Sequence, residues 1–235
     1  EVLYNTDHIK KVRRLKVKGK MNSDDWAKVK MMHGLLDLDL SEAEFTEVPA
    51  RQFQETSSDT AMQFLHRLAL PEGLTKINEE AFYYSFIDSL ALPSTLRTIG
   101  EGAFYGSHIQ EINMPDNCTS IYGQDVQESP FGHMRWLQKF KFANNIRTIP
   151  KQLFKECYNL DEVTLPEKLK VIDASAFEGT SIDSIDFPEG LETIGESAFQ
   201  NCSGTKFGPF PEGLKEIKTS AFERCNGIVD LVIPK

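Results

Sequence analysis

The sequence predicts an α/β-type solenoid of about ten coils, with a parallel β-sheet on the concave face and a mostly irregular or short helical convex side. Three observations carry this. The skeleton of Leu160, Val163, Leu165, Pro166, Leu169, Ile172, Ala176 and Phe177 recurs every 22 to 23 residues along most of the chain. Eight of the sixteen phenylalanines, Phe53, Phe82, Phe104, Phe131, Phe154, Phe177, Phe199 and Phe222, occupy one repeat position. Proline follows the expected strand at Pro71, Pro93, Pro115, Pro166, Pro188, Pro211 and Pro234, where its missing N–H ends pairing and turns the chain. Residues 1–235 read as a single domain: irregular coils with one helix over 1–64, then regular repeats over 65–235.

The first strand centres on Leu15-Lys16-Val17, with basic residues alternating along it so that one pleat face is positive. A helix follows, with Asn22 or Ser23 as N-cap, Asp24 and Asp25 in its first turn, and Trp26, Val29 and Met32 on one face. The next strand is Leu38-Asp39-Leu40. Further strands are expected at 68–70, 90–92, 112–114, 140–142, 163–165, 185–187, 208–210 and 231–233, the copy at Gly208-Pro209 being a candidate break. Two coils carry insertions, around Thr56 to Met62 and Tyr122 to Ser129, which a stacked core must push outward.

A net charge of −9 conceals a basic start: residues 1–30 carry +5 and the remainder −14. So acidic a chain is not a general nucleic-acid binder. No apolar run approaches the roughly 20 residues that cross a bilayer, and no charged-then-apolar leader precedes the first strand, so the chain reads as soluble, cytosolic or trimmed. Cys157, Cys202 and Cys225 each fall three residues after the repeat phenylalanine, where other copies have Ser85, Ser107, Met134 or Thr180. That is a slot for a small buried group; Cys202 and Cys225 would lie on adjacent coils, which leaves their pairing open.

The LPxxLxxIxxxAF unit, seen at Leu92 to Phe104 and Leu165 to Phe177 and followed by the Cys or Ser slot, resembles the BspA-like class of bacterial leucine-rich repeats. The opening KVRRLKVKGKMNSDDW looks like the N-terminal coils of Bacteroides-type surface proteins. The resemblance implies a curved right-handed solenoid at the bacterial cell surface, exported, with a lipid anchor on a removed N-terminal segment as one option. It also implies adhesion to host or bacterial surface proteins.

No HExxH, GxSxG, CxxC or Gly-rich phosphate loop is present, so neither enzyme activity nor a cofactor is expected. Asp37, Asp39 and Ser41 imitate the start of a calcium loop, but position six lacks Gly and position twelve is Val48. Cross-strand pairing with Arg14 and Lys16 suits the two aspartates better. Asp59-Thr60-Ala61 resembles an acceptor pattern for O-glycosylation in Bacteroides-like bacteria, which makes Thr60 a candidate modification site.

On the concave face, Lys139 and Lys141 form a basic rung between Glu111/Asn113 and Glu162/Thr164. Trp136, one residue before the core Leu137, shares a coil with the Tyr122 to Ser129 insertion; it is either an exposed anchor or folded over that insertion. The candidate binding set is therefore Trp136, Lys139, Lys141, Tyr122, Glu111, Asn113, Glu162 and Thr164, with Arg14 and Lys16 as a basic patch for acidic polysaccharide. Protein adhesion leads; a carbohydrate surface using Trp136 and Tyr122, and a structural spacer, are the alternatives.

Overall fold

A computed structural model describes residues 9–55, 62–121 and 129–226; the expected strand at 231–233, Thr60 and Tyr122 lie outside the described residues. One face of the solenoid is built from β1 (Arg14–Lys20), β2 (Asp37–Glu44), β4 (Arg67–Ala69), β7 (Glu111–Asn113), β9 (Lys139–Lys141), β11 (Glu162–Thr164), β13 (Ser184–Ile185) and β15 (Lys206–Phe207). All pairings among them are parallel. The copy expected at Leu90 is reduced to a single bridge from Arg67 to Ser89. Between β11 and β13 the ladder is interrupted, and Asp183 N–H donates to the Asp161 carbonyl at 3.0 Å across the gap.

A second parallel ladder lies on the return path: β3 (Glu47–Val48), β5 (Lys76–Ile77), β6 (Thr98–Ile99) and β8 (Ser120–Ile121), then β10 (Thr148–Ile149), β12 (Val171–Ile172), β14 (Thr193–Ile194) and β16 (Glu216–Ile217). The sequence led to an irregular or short helical segment here. Each of these strands is two residues long, too short to display a period of two. The β-branched second residue still packs inward, with Val48, Ile77, Ile99, Ile149, Ile172 and Ile194 all fully buried.

Inside the coil the repeat phenylalanines form one column. Successive ring centroids from Phe53 to Phe222 are 5.1 to 6.0 Å apart with planes within 23° of parallel. Each buried ring contributes about 1.5 to 3 kcal/mol. The backbone at these rings locks the coils together: Phe82 N–H donates to the Ala103 carbonyl at 2.7 Å and Phe177 N–H to that of Ala198 at 2.8 Å. Residues two before and two after the phenylalanine recurrently have positive φ, as at Ser175 (53°) and Gly179 (75°) around Phe177, or Ser197 (53°) and Asn201 (62°) around Phe199.

Helix α1 (Ser23–Lys30) begins with Asn22, whose side chain accepts from the Asp24 and Asp25 N–H groups at 2.8 and 3.1 Å while Asp25 accepts from Asn22 N–H at 3.1 Å. This capping box fixes the start of the helix. Its apolar face buries Trp26 and Val29 together with Met32 just beyond. The Trp26 ring meets Phe45 and Phe53 edge-on at 4.9 and 6.3 Å, closing the N-terminal end of the phenylalanine column.

One strand differs from expectation. Ser184–Ile185 pair with Lys206–Phe207, not with residues from Gly208 onward, and Phe207 packs against Phe199 and Phe222 instead of facing out. This copy has one more residue between strand and proline than its neighbour, so counting back from Pro211 displaces the strand by one. The cysteine slot is occupied by free thiols: those of Cys157, Cys202 and Cys225 donate to the carbonyls of Phe131, Phe177 and Phe199 in the preceding coil at 3.0, 3.1 and 2.9 Å.

Candidate functional site

The strand face carries the rungs that alternation requires. Glu111, Lys139 and Glu162 stand in register, as do Asn113, Lys141 and Thr164. Lys139 Nζ binds Glu162 Oε2 at 2.5 Å, whereas Glu111 accepts from Asn113 Nδ2 at 2.8 Å. The Lys139 pKa is raised chiefly by that hydrogen bond to Glu162. Lys141 is exposed and, among the described residues, has no ion pair. The basic rung therefore offers one free ammonium, not two.

The N-terminal patch is neutralised further. Lys16 binds Asp39 at 2.8 Å and Glu42 at 2.7 Å, and Lys18 shares Glu42 at 2.7 Å. These hydrogen bonds, with Asp39 foremost, push the Lys16 pKa up to about 12 and hold both carboxyls below their usual range. Asp37 lies opposite Arg14 in the ladder but pairs with Arg67 on its other side at 3.3 Å. Asp39 also accepts from both the backbone and hydroxyl of Ser41, so its oxygens are committed.

Where β11 and β13 fail to pair, a recess of about 530 Å³ opens, lined by Lys139, Asp161, Glu162, Thr164, Asp183 and Asp186 among others. Among the described residues no group of three His, Cys, Asp or Glu is placed to hold a metal ion.

Trp136 is 52% exposed, standing clear of the core as an edge residue. Its indole contacts His108 at 5.2 Å, and His108 contacts Phe86 at 4.6 Å. All three precede the first buried apolar residue of their coil, as does Phe64, also 52% exposed. Trp136 and its alignment with His108 stand out in the sequence, whereas their continuity with Phe64 and Phe86 emerges only once the coils are stacked. Phe64, Phe86, His108 and Trp136 share one repeat position, which turns polar at Asn159 and Ser181. Beside this stripe, Tyr83 and Tyr105 stack at 5.3 Å and Tyr84 is 43% exposed.

Further along the same edge, Tyr158 is 46% exposed, with the Arg135 guanidinium 5.9 Å above its ring. Beyond it lies a recess of about 480 Å³ lined by Glu156, Tyr158, Glu178, Gly179, Thr180, Ser181, Asn201 and Ser203.

Three solved structures share this fold: a leucine-rich repeat protein from Bacteroides ovatus (20% identity, 94% of this chain and 75% of that one, TM-score 0.53), one from Eubacterium ventriosum (16%, 92% and 91%, 0.58) and one from T. pallidum (18%, 72% and 77%, 0.53). At these identities the likeness is one of fold. No curated protein matches the chain. The repeat model described as a BspA type leucine-rich repeat region matches residues 46–126 and 124–235, in six copies. With its LPxxLxxIxxxAF units, its phenylalanine column and a match over most of its length, the chain belongs to the BspA-type leucine-rich repeat family.

Proposed function

We propose that this chain is a non-catalytic adhesion module of a bacterial cell surface, and that it docks a protein partner through the aromatic edge from Phe64 to Trp136. The observation that carries the reading is the exposure of that edge. Phe64 and Trp136 each leave 52% of their surface open, on a molecule whose other large apolar side chains mostly fill the core. Exposed aromatics grouped on a rigid support are characteristic of interaction hot spots. Lys141, free of ion pairs among the described residues, stands on the strand that follows Trp136 and gives the same coil a positive charge.

The ring geometry favours a protein partner over a sugar at this stripe. Phe86 and His108 meet at 66° and His108 and Trp136 at 43°, so the rings turn into one another and do not form one flat platform for a pyranose. Membership of a repeat family of non-catalytic scaffolds agrees with a binding role. The test is surface-plasmon binding of the 235-residue chain to purified host matrix and bacterial surface proteins, with Phe64→Ala, Trp136→Ala and Lys141→Ala run in parallel. A bound partner should be lost with Trp136→Ala or Phe64→Ala and weakened by Lys141→Ala. Binding indifferent to all three would refute the assignment of this edge.

A further inference from the structure

We infer that the recess beside Tyr158 is a binding site for a neutral saccharide, distinct from the aromatic stripe. Sugar recognition asks for a bare aromatic face against which axial C–H groups stack, and for convergent side-chain donors and acceptors not already engaged by the protein. Both requirements meet here.

The Tyr158 ring is 46% exposed, has the Arg135 guanidinium of the preceding coil 5.9 Å from its centroid, and lines the recess together with Gly179 of the following coil. A Cβ at Gly179 would stand 3.4 Å from Tyr158 Cε1. Glycine, in the left-handed conformation at φ 75°, therefore keeps the Cε1–Cδ1 edge of the exposed ring free of a side chain where it meets the recess. The neighbouring glycines behave differently: Cβ positions at Gly106 and Gly132 would press on Tyr84 at 2.5 Å and Tyr105 at 3.1 Å, so there the space is already taken by the ring.

The polar lining is available. Among the described residues, the side chains of Ser181, Asn201 and Ser203 have no hydrogen bond within the protein, and all three are exposed. Glu178 uses Oε2 on Lys155 at 3.6 Å, which leaves its Oε1 as an acceptor for a sugar hydroxyl, whereas Glu156 is engaged by His133 at 3.2 Å and by the Tyr158 hydroxyl. Two carboxylates facing one recess oppose an anionic sugar, so the ligand class is neutral. The volume of about 480 Å³ accommodates one or two pyranose rings.

The experiment is saturation-transfer NMR on the full chain with glucose, galactose, mannose and N-acetylglucosamine, and glucuronic acid as the anionic arm. At least one neutral sugar should show transfer centred on its ring C–H protons, and glucuronic acid none. Tyr158→Ala should weaken binding at least tenfold, and Gly179→Ala should weaken it by placing a methyl against the Cε1–Cδ1 edge of the ring, whereas Tyr158→Phe and Trp136→Ala should retain it. Thermal melts of each variant report whether the coil is intact. No transfer to any neutral sugar, transfer that survives Tyr158→Ala in a folded protein, or stronger transfer to glucuronic acid overturns the proposal. The Trp136→Ala arm keeps the outcome separate from that of the protein-docking edge.

Discussion

The His108 imidazole lies 5.2 Å from the Trp136 indole across a coil boundary that contains the longer insertion of the regular repeats. Burial lowers the His108 pKa from its ordinary 6.5; His66 acts in the same sense and Asp88 opposes it. A histidine whose folded pKa is depressed favours the native state in its neutral form. That contribution is complete above pH 6.5 and is lost as pH falls through the lower folded value. Trp136 emission should therefore be quenched on acidification with a midpoint below 6.5, since imidazolium quenches a neighbouring indole. His108→Gln should flatten the titration, Trp26 being buried and constant; a midpoint above 6.5 would contradict this environment.

Core and edge should separate cleanly under mutation. Phe177 is fully buried between Phe154 and Phe199, at 5.4 and 5.1 Å, and Phe177→Ala should cost about 3 to 5 kcal/mol in urea unfolding. Trp136→Ala should change stability by no more than about 1 kcal/mol. A reversal of that order would mean that Trp136 is a packing residue.

The architecture was legible because its markers are single residue types at fixed spacing. The column from Phe53 to Phe222, the capping box at Asn22 and the Glu111–Lys139–Glu162 register all follow from counting residues and from alternation. The second ladder was not legible, since a two-residue strand has no pattern of its own, and the neutralisation of Lys16 depends on rotamers reaching across strands. The Tyr158 recess was hidden for another reason. The coil from Phe154 to Leu160 holds one more residue than that from Phe177 to Ile182, and Gly179 meets the edge of the Tyr158 ring. A fit that spans two unequal copies cannot be read from either alone.

The thiols offer a chemical check on the slot that follows the phenylalanine. Burial pushes Cys157 up to about 12 and Cys118 and Cys225 up to about 11, and raises Cys202 as well. Thiolate is the reactive form, so a disulfide reagent at pH 8 should label the native chain slowly, and first at the partly buried Cys225. All four should react at once in denaturant. Rapid native labelling of Cys157 would show that its coil opens.

Left-handed residues beside the phenylalanine give a backbone test. Ser197 has φ 53°, a conformation that costs an L-residue about 1 to 2 kcal/mol and glycine little. Ser197→Gly should leave stability unchanged or raise it by up to about 1 kcal/mol, because glycine's entropy loss offsets part of the gain. Ser197→Val, with its branched Cβ, should lower it by more than 1 kcal/mol, roughly the strain of that backbone region. Equal stability of the two variants would refute the strain at this slot.

The interruption between β11 and β13 has a mechanical meaning. Behind it the ladder from β10 through β16 runs without a break, so the strands on either side of this interruption are joined like pages at an intact spine. Opening of this seam would widen the 530 Å³ recess while β10 to β16 stay paired. With Lys139 and Glu162 on one lip and Asp183 on the other, the bond from Asp183 N–H to the Asp161 carbonyl at 3.0 Å is, among the described residues, the one backbone link such an opening must break before the coils behind it feel any load.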